Sequence, residues 1–175
     1  MLFRSTDDQV WYYGSLARTA WIDRYGHPTP RAVSVDGYLY NHETGCDDGS
    51  TNPASPINAC IQSSPIEIDS GDNFLFINRI LPDLTFRNST TDNGAEPYVM
   101  FTIKPQDYPG SAIGAGDERT VTRNNASTIT VNRFTNQVFT RLRARSVSLR
   151  VESDAIGVEW RLGAPRLDMR KDGRR

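Results

Sequence analysis

Short segments of alternating apolar and polar residues follow one another along the whole chain. Gly, Pro, Asn, Asp and Ser separate them, and no 12 consecutive positions hold the 3.6-residue apolar period of an amphipathic helix. A period of two is typical of β-strands, so the sequence predicts an all-β protein. The predicted strands are residues 10–14, 18–23, 36–43, 59–64, 65–69, 73–81, 83–88, 98–104, 118–123, 127–132, 137–152, 158–163 and 166–170.

One segment, residues 44–58, has almost no apolar residues, and we predict a linker or long loop there. Residues 1–43, which precede it, are rich in Trp and Tyr and have about the size of one four-stranded propeller blade. Residues 59–175 hold enough short strands for an antiparallel β-sandwich of the jelly-roll or immunoglobulin-like kind. The predicted fold is therefore a blade-like β-segment followed by a β-sandwich.

The stretch at residues 73–81 is apolar on both faces, which is typical of a central strand covered on both sides. Strict alternation divides its apolar side chains into two faces, with Phe74, Phe76 and Ile80 on one and Leu75, Ile77 and Leu81 on the other.

The inward face of the long stretch at residues 137–152 changes phase. Val138, Leu142 and Ala144 share one parity, and the following Val147, Leu149 and Val151 share the other. Because side chains alternate along a strand, this change requires a β-bulge or a tight turn near Arg145 and Ser146.

Three arginines, Arg141, Arg143 and Arg145, occupy the outward positions before this change, roughly 7 Å apart. They begin a basic tail: residues 141–175 carry 10 basic and 5 acidic side chains, against 10 basic and 16 acidic before them. Neighbouring guanidinium groups repel one another unless an anion meets them. We therefore predict that these three arginines and Arg150 contact either a neighbouring subunit or phosphates.

Candidate chemistry elsewhere is sparse. The adjacent His42 and Glu43 point to opposite faces of a strand and cannot easily share a metal. No nucleophile, metalloprotease or phosphate-loop motif is present, and no pair of acids stands out as a hydrolase site. We expect no enzyme, no cofactor and no metal site, and we favour free thiols for Cys46 and Cys60.

Aromatic residues near the start of the chain have two interpretations. Trp11, Tyr13 and Trp21 could form a sugar-binding face, or they could be packed within and between β-modules, which is the more usual place for such rings. No apolar run approaches the length of a spanning helix, so a membrane is not an expected partner.

Four segments together resemble the C-terminal part of a family of tailed-bacteriophage virion structural proteins, in the same order and over most of the chain. They are W-Y-Y-G-S-L-A-R-T-A-W-I-D (11–23), D-G-Y-L-Y-N-H-E-T-G (36–45), S-S-P-I-E-I-D-S-G-D-N-F-L-F-I-N-R-I-L-P-D (63–83) and R-L-R-A-R-S-V-S-L-R-V-E-S-D-A-I-G-V-E-W-R-L-G-A-P-R-L-D-M-R-K-D-G-R-R (141–175). The family is similar to the tail hub or nozzle proteins of short-tailed phages, with propeller-like β-repeats upstream.

The resemblance implies a virion structural protein of the tail or head-to-tail connector, assembled in the bacterial host cytoplasm. Its expected partners are copies of itself, other virion proteins and, through the arginines, packaged DNA. Residues 1–43 would then be the end of a truncated upstream β-domain, with Met1 internal to a longer protein. The family supplies no catalytic residues. The alternative function is a glycan- or receptor-binding module of a phage tail.

Overall fold

The structure, a computed structural model, describes residues 2–4, 11–13, 15–90, 96–108 and 127–174. Within these ranges every regular element is a β-strand and every strand pairing is antiparallel, which confirms the all-β prediction. The predicted strand at residues 118–123 lies outside the described residues. The chain divides into two compact units, Met1–Gly45 and Cys46–Arg175, and each is described by itself.

The described residues of the first unit form two small sheets. In chain order its strands are β1 (Leu2–Arg4), β2 (Trp11–Tyr13), β3 (Arg18–Ile22), β4 (Arg31–Ser34) and β5 (Leu39–Asn41). β1 pairs with β2, and β3, β4 and β5 form a three-stranded sheet in that order. The sequence pattern does not predict β4, and the blade-like segment consists of two sheets in this structure.

A tight turn explains why β4 and β5 pair. The amide of Ser34 donates to the carbonyl of Tyr38 at 2.8 Å, and Gly37 has a φ of 83°. An Asp-Gly pair at such a turn is a strong hairpin signal, because glycine adopts positive φ without steric cost.

The described residues of the second unit form twelve strands. In chain order they are β6 (Asp47–Asp48), β7 (Ser55–Pro56), β8 (Ala59–Gln62), β9 (Ile66–Glu67), β10 (Leu75–Leu81), β11 (Leu84–Phe86), β12 (Tyr98–Gln106), β13 (Ser127–Asn132), β14 (Val138–Ala144), β15 (Ser146–Ser153), β16 (Trp160–Leu162) and β17 (Arg166–Lys171). β6 and β7, within the predicted linker, pair with each other.

The remaining strands form two main sheets and one pair. The larger sheet runs β13-β12-β15-β8, with β9 also beside β15, and the smaller runs β14-β10-β17. β11 pairs with β16. Pairings such as β10 with β17 and β12 with β15 join strands far apart in the chain, as in Greek-key sandwiches.

One hydrophobic core joins the two main sheets. Among the described residues it contains twelve buried side chains: Leu75, Ile77, Ile80, Val99, Phe101, Ile103, Val131, Leu142, Ala144, Val147, Leu149 and Val151. They come from β10 and β14 on one side and from β12, β13 and β15 on the other. Two sheets that share one core form a sandwich, as predicted.

The faces of β10 differ from strict alternation. Leu75, Ile77 and Ile80 are all buried in the core, so the assignment of Ile80 to the face of Phe74 and Phe76 is wrong. The register with both neighbouring strands shifts between Ile77 and Arg79. The irregularity at Asn78 changes the parity of the inward positions.

The phase change near Arg145 lies where the sequence predicts it, and it marks the passage of the chain from one sheet to the other. β14 ends at Ala144 in the smaller sheet, and β15 begins at Ser146 in the larger one. Both strands turn apolar side chains into the common core. A single residue therefore joins the two layers of the sandwich.

Candidate functional site

The outer surface of the three-stranded sheet is rich in arginine. Side chains of β10, β14 and β17 alternate between the core and this outer surface, which we call the arginine face. Its members are Phe76, Arg79, Phe139, Arg141, Arg143, Arg166, Asp168 and Arg170. Five arginines and one aspartate give this surface a strong positive charge.

The strand register arranges these side chains in rows. Phe76 lies between Arg143 and Arg170, and the guanidinium carbon of Arg170 is 5.0 Å from the centre of the Phe76 ring. In the next row Arg79 lies between Phe139 and Asp168, with 3.4 Å between the Arg79 Nη2 and Asp168 Oδ2 atoms. Cations on aromatic rings are favourable at exposed sites, so the rings of β10 hold arginines in place.

The side chain of Arg143 is bound within the chain. Its Nε atom is 2.6 Å from Oδ2 of Asp172, and Nη2 donates to the Asp172 carbonyl at 3.1 Å. Its guanidinium carbon is 4.1 Å from the centre of the Phe74 ring. Asp172 therefore supplies a negative charge that offsets the repulsion between neighbouring arginines on β14.

Arg145 does not extend the row of Arg141 and Arg143, which corrects the prediction of three equivalent outward arginines. It lies beyond the end of β14, and its Nη1 donates to the carbonyls of Gly71 and Asp72 at 3.3 and 3.1 Å. It stacks on Phe74 from 4.9 Å. Its contacts secure the passage between the two sheets.

Arg141, by contrast, is exposed and makes no hydrogen bond or ion pair with any residue that the structure describes. The same holds for Arg166 on the opposite edge strand, within the described ranges. Phe139, two positions from Arg141 on β14, is 72% exposed. Two open cations and one open ring therefore remain on this face.

Arg150 belongs to a different surface. It lies on β15 in the larger sheet, and its Nε is 2.7 Å from Oε2 of Glu152. This hydrogen bond raises the pKa of Arg150 above its ordinary value. The structure therefore brings together Arg141 and Arg143, and it separates Arg150 from them.

In the first unit, Trp21 belongs to a cluster of rings and one cation. Its ring centre is 4.8 Å from that of His42, and Arg18 Nε donates to His42 Nε2 at 3.2 Å. The guanidinium carbon of Arg18 lies 4.5 Å from the centre of the Tyr40 ring. Burial and the Arg18 charge lower the pKa of His42. For Trp11 the structure describes only the backbone pairing of β2 with β1, as it does for Tyr13.

The opposite side of the three-stranded sheet in the first unit carries exposed apolar side chains beside one polar pair, Arg31 and Asn41, which lie in the row of Ile22. Ala20, Val33 and Leu39 are direct neighbours across the three strands, and Ile22 follows Ala20 on the same side of β3. Ile22 is 56% exposed and Leu39 is 60% exposed. We call these four residues the apolar face.

Cys46 and Cys60 are free thiols, as favoured from the sequence. The Cys46 sulfur lies 3.8 Å from Oε2 of Glu159. Burial is the main cause that raises the pKa of this thiol, and the nearby Glu159 carboxylate raises it further. The thiolate is the reactive form, so Cys46 is kept in its less reactive state.

A cavity of about 290 Å³ lies in the second unit. It is lined by Thr90, Glu96, Pro97, Tyr98, Ala155, Ile156 and Val158. Its acidic group, Glu96, is 2.7 Å from Nη2 of Arg133. The cavity is mainly apolar, and its carboxylate is paired through Oε1, while the buried Oε2 has no hydrogen-bond partner among the described residues.

The sequence pattern finds Arg141 and Arg143 but misses most of the arginine face. Arg79, Arg166 and Arg170 carry the same signal, because each is a charged residue that alternates with apolar ones in a predicted strand. Only the pairing of β10 with both β14 and β17 shows that they share one surface.

Where the structure describes the chain, no three His, Cys, Asp or Glu side chains are placed to bind a metal together. The described ranges also contain no helix with the length and hydropathy needed to cross a membrane. No protein-family model and no curated protein sequence matches the chain.

Proposed function

We propose that the protein is a virion structural component of a tailed bacteriophage, in the tail or the head-to-tail connector, and that it acts through subunit contacts. The apolar face of the first unit carries this proposal. The location in a virion comes from the sequence resemblance, whose segments supply strands in both units.

The apolar face has the properties of a surface that is covered in an assembly. Transfer of apolar surface out of water is favourable by about 25 cal/mol per Å², and the open side chains of Ile22 and Leu39 forgo this gain. Contiguous apolar patches on a folded surface mark contact sites more often than isolated apolar residues do. Neighbouring subunits of a ring or connector would cover it.

The β-sandwich supports the same function. Its two sheets share one core of closely packed Val, Ile, Leu and Phe side chains, so the unit is a rigid module. Rigid modules lose little conformational entropy when they associate. Such a unit suits a permanent position in a particle.

The test of location is immunogold labelling of purified phage particles with an antibody raised against the 175-residue chain. We expect gold at the tail or at the head-to-tail junction. Particles without label, with the antibody shown to bind the denatured particle proteins, would contradict the proposal.

The test of the surface is the mass of the chain in solution by light scattering. We expect an oligomer that Leu39→Arg dissociates, because a charge would then be buried at the contact. The matched control is Tyr25→Arg, at a residue that is 92% exposed and outside the apolar face. If the two variants behave alike, the apolar face is not the subunit contact.

A second candidate function, recognition of a receptor glycan, is favoured by the cluster around Trp21. Aromatic rings beside hydrogen-bonding groups are typical of small-ligand sites, and Tyr38 lies next to Tyr40 with ring centres 6.4 Å apart. Binding on a glycan array that is lost in Tyr38→Ala, without loss of folding, would support it. Absence of any glycan binding would remove it.

A further inference from the structure

We infer that the arginine face binds single-stranded nucleic acid, with phosphates at Arg141 and Arg166 and a base stacked on Phe139. This binding activity goes beyond the proposed role in subunit contacts, which rests on the apolar face of the other unit. The sequence predicts that the arginines contact either a neighbouring subunit or phosphates, and this inference chooses phosphates.

Charge is the first support. Residues 141–175 are net basic while the rest of the chain is net acidic, and the arginine face collects tail arginines from β14 and β17 beside Arg79 of β10. Nucleic-acid phosphates form a polyanion that such a surface attracts. The single aspartate of the face, Asp168, is already 3.4 Å from Arg79.

The geometry of the free groups is the second support. Arg141 and Phe139 point outward two residues apart on β14, at a spacing of about 7 Å. Arg166 lies on β17, on the far side of β10 and opposite Leu81. The two edge strands are about 10 Å apart across the central one. A single strand of nucleic acid that crosses this sheet diagonally therefore meets Arg141, Phe139 and Arg166 in turn.

The exposed ring decides between a single strand and a duplex. Phe139 is 72% exposed, whereas Phe76 carries Arg170 on its ring. An open ring flanked by cations is the arrangement that stacks an unpaired base, and a duplex keeps its base faces inside the stack. Arg170, held over the Phe76 ring, adds positive charge to the surrounding surface, whereas the charge of Arg143 is already met by Asp172.

The experiment is fluorescence anisotropy of a labelled 15-nucleotide oligothymidylate titrated with the full chain at several salt concentrations. We expect binding that weakens as salt rises, with a slope of about 0.7 for each phosphate contact. Arg141→Ala is expected to reduce that slope by about one contact. Phe139→Leu is expected to weaken binding about tenfold, because leucine keeps the apolar volume but cannot stack on a base.

The matched control is Arg161→Ala. Arg161 is an exposed arginine on β16, outside the arginine face, and its replacement should leave affinity unchanged. All three substituted side chains are exposed or edge residues, and circular dichroism with a thermal melt confirms that each variant folds.

Four results would overturn the inference. They are no binding at low salt, equal loss in Arg161→Ala, unchanged affinity in Phe139→Leu, and tighter binding to a 15-base-pair duplex than to the single strand. Binding of polyglutamate that displaces the oligonucleotide and survives Phe139→Leu would instead identify an acidic protein as the partner.

Discussion

Arg143 shows how one side chain can fasten two strands that are distant in sequence. Its ion pair with Asp172 joins β14 to the residue that follows β17, and its guanidinium covers the Phe74 ring at the start of β10. Phe74 and Asp172 are also joined through their backbones, because the Asp172 amide donates a hydrogen bond to the Phe74 carbonyl at 2.8 Å. The arginine therefore acts in stability, whatever else the surface binds.

We expect Arg143→Ala to lower the free energy of unfolding by about 1 kcal/mol, the sum of a partly exposed ion pair and a cation on a ring. Arg141→Ala removes a neighbouring arginine that has no partner among the described residues, and should change stability by less than about 0.5 kcal/mol. Urea unfolding of both variants measures the difference. Equal losses would show that the Asp172 contact contributes nothing.

His42 gives a pH-dependent prediction for the first unit. Burial and the Arg18 guanidinium lower the pKa of His42 below its ordinary value of 6.5, and the nearby Glu43 opposes this only in part. The unfolded chain therefore binds a proton at a higher pH than the folded chain does. The stability from neutral His42 is present above pH 6.5 and is lost as the pH falls through the folded pKa.

An NMR titration of the His42 ring tests this prediction. We expect a midpoint below 6.5 in the native chain and a midpoint closer to 6.5 in Arg18→Gln, which removes the adjacent positive charge. A native midpoint at or above 6.5 would contradict the contact between Arg18 and the neutral ring.

At the scale of the element, β10 shows what periodicity predicts and where it fails. The apolar pattern identifies a central strand, and β10 does lie between β14 and β17. The predicted covering on both sides is wrong, because Phe76 and Arg79 lie on the arginine face and only the other face enters the core. The pattern cannot locate an irregularity, since Ile80 is apolar and fits either face. The shift between Ile77 and Arg79 comes from pairing with two other strands, which a linear pattern does not contain.

Deletion of Asn78 should leave the sandwich folded. Without this residue Leu75, Ile77 and Ile80 occupy alternate positions, so strict alternation turns all three into the core. Asn78→Ala keeps the backbone count and should cost about 1 kcal/mol or less. Near-ultraviolet circular dichroism and urea unfolding test both variants. An unfolded deletion variant would contradict this and show that β10 needs the extra residue to pair with both neighbouring strands.

The candidate site is predictable in part for the same reason. Alternation places Arg141 and Arg143 on the outward side of a strand, and the structure confirms this. It does not reveal Asp172 or Phe74 as their partners, because those contacts depend on β10 and β17 being neighbours. The separation of Arg150 likewise follows from the change of sheet at Arg145.

At the scale of the molecule, the two units differ in how their strands pair. The sheets of the first unit join strands that are consecutive in the chain, and its three-stranded sheet leaves the apolar face open. The second unit joins strands from its two ends around the twelve-residue core, and all of those core residues lie within it. The second unit therefore has the core of an independent domain.

Residues 46–175 alone should fold. We expect a dispersed amide NMR spectrum and a cooperative thermal transition, because the deletion of residues 1–45 removes none of the core side chains. Solubility should rise as the apolar face is removed. A collapsed spectrum for this fragment would show that the sandwich needs the first unit.

The pairing of β10 with β17 also sets the order in which the protein can form during synthesis. The local sheets of the first unit can close as soon as they leave the ribosome, whereas β10 must wait for the last strand of the chain. At the usual rate of translation that wait is roughly ten seconds. During it, one side of β10 is an open template for strands of other nascent chains. Early release of an incomplete chain would make that state permanent, so synthesis through Arg166–Lys171 is needed to cover this open edge of β10.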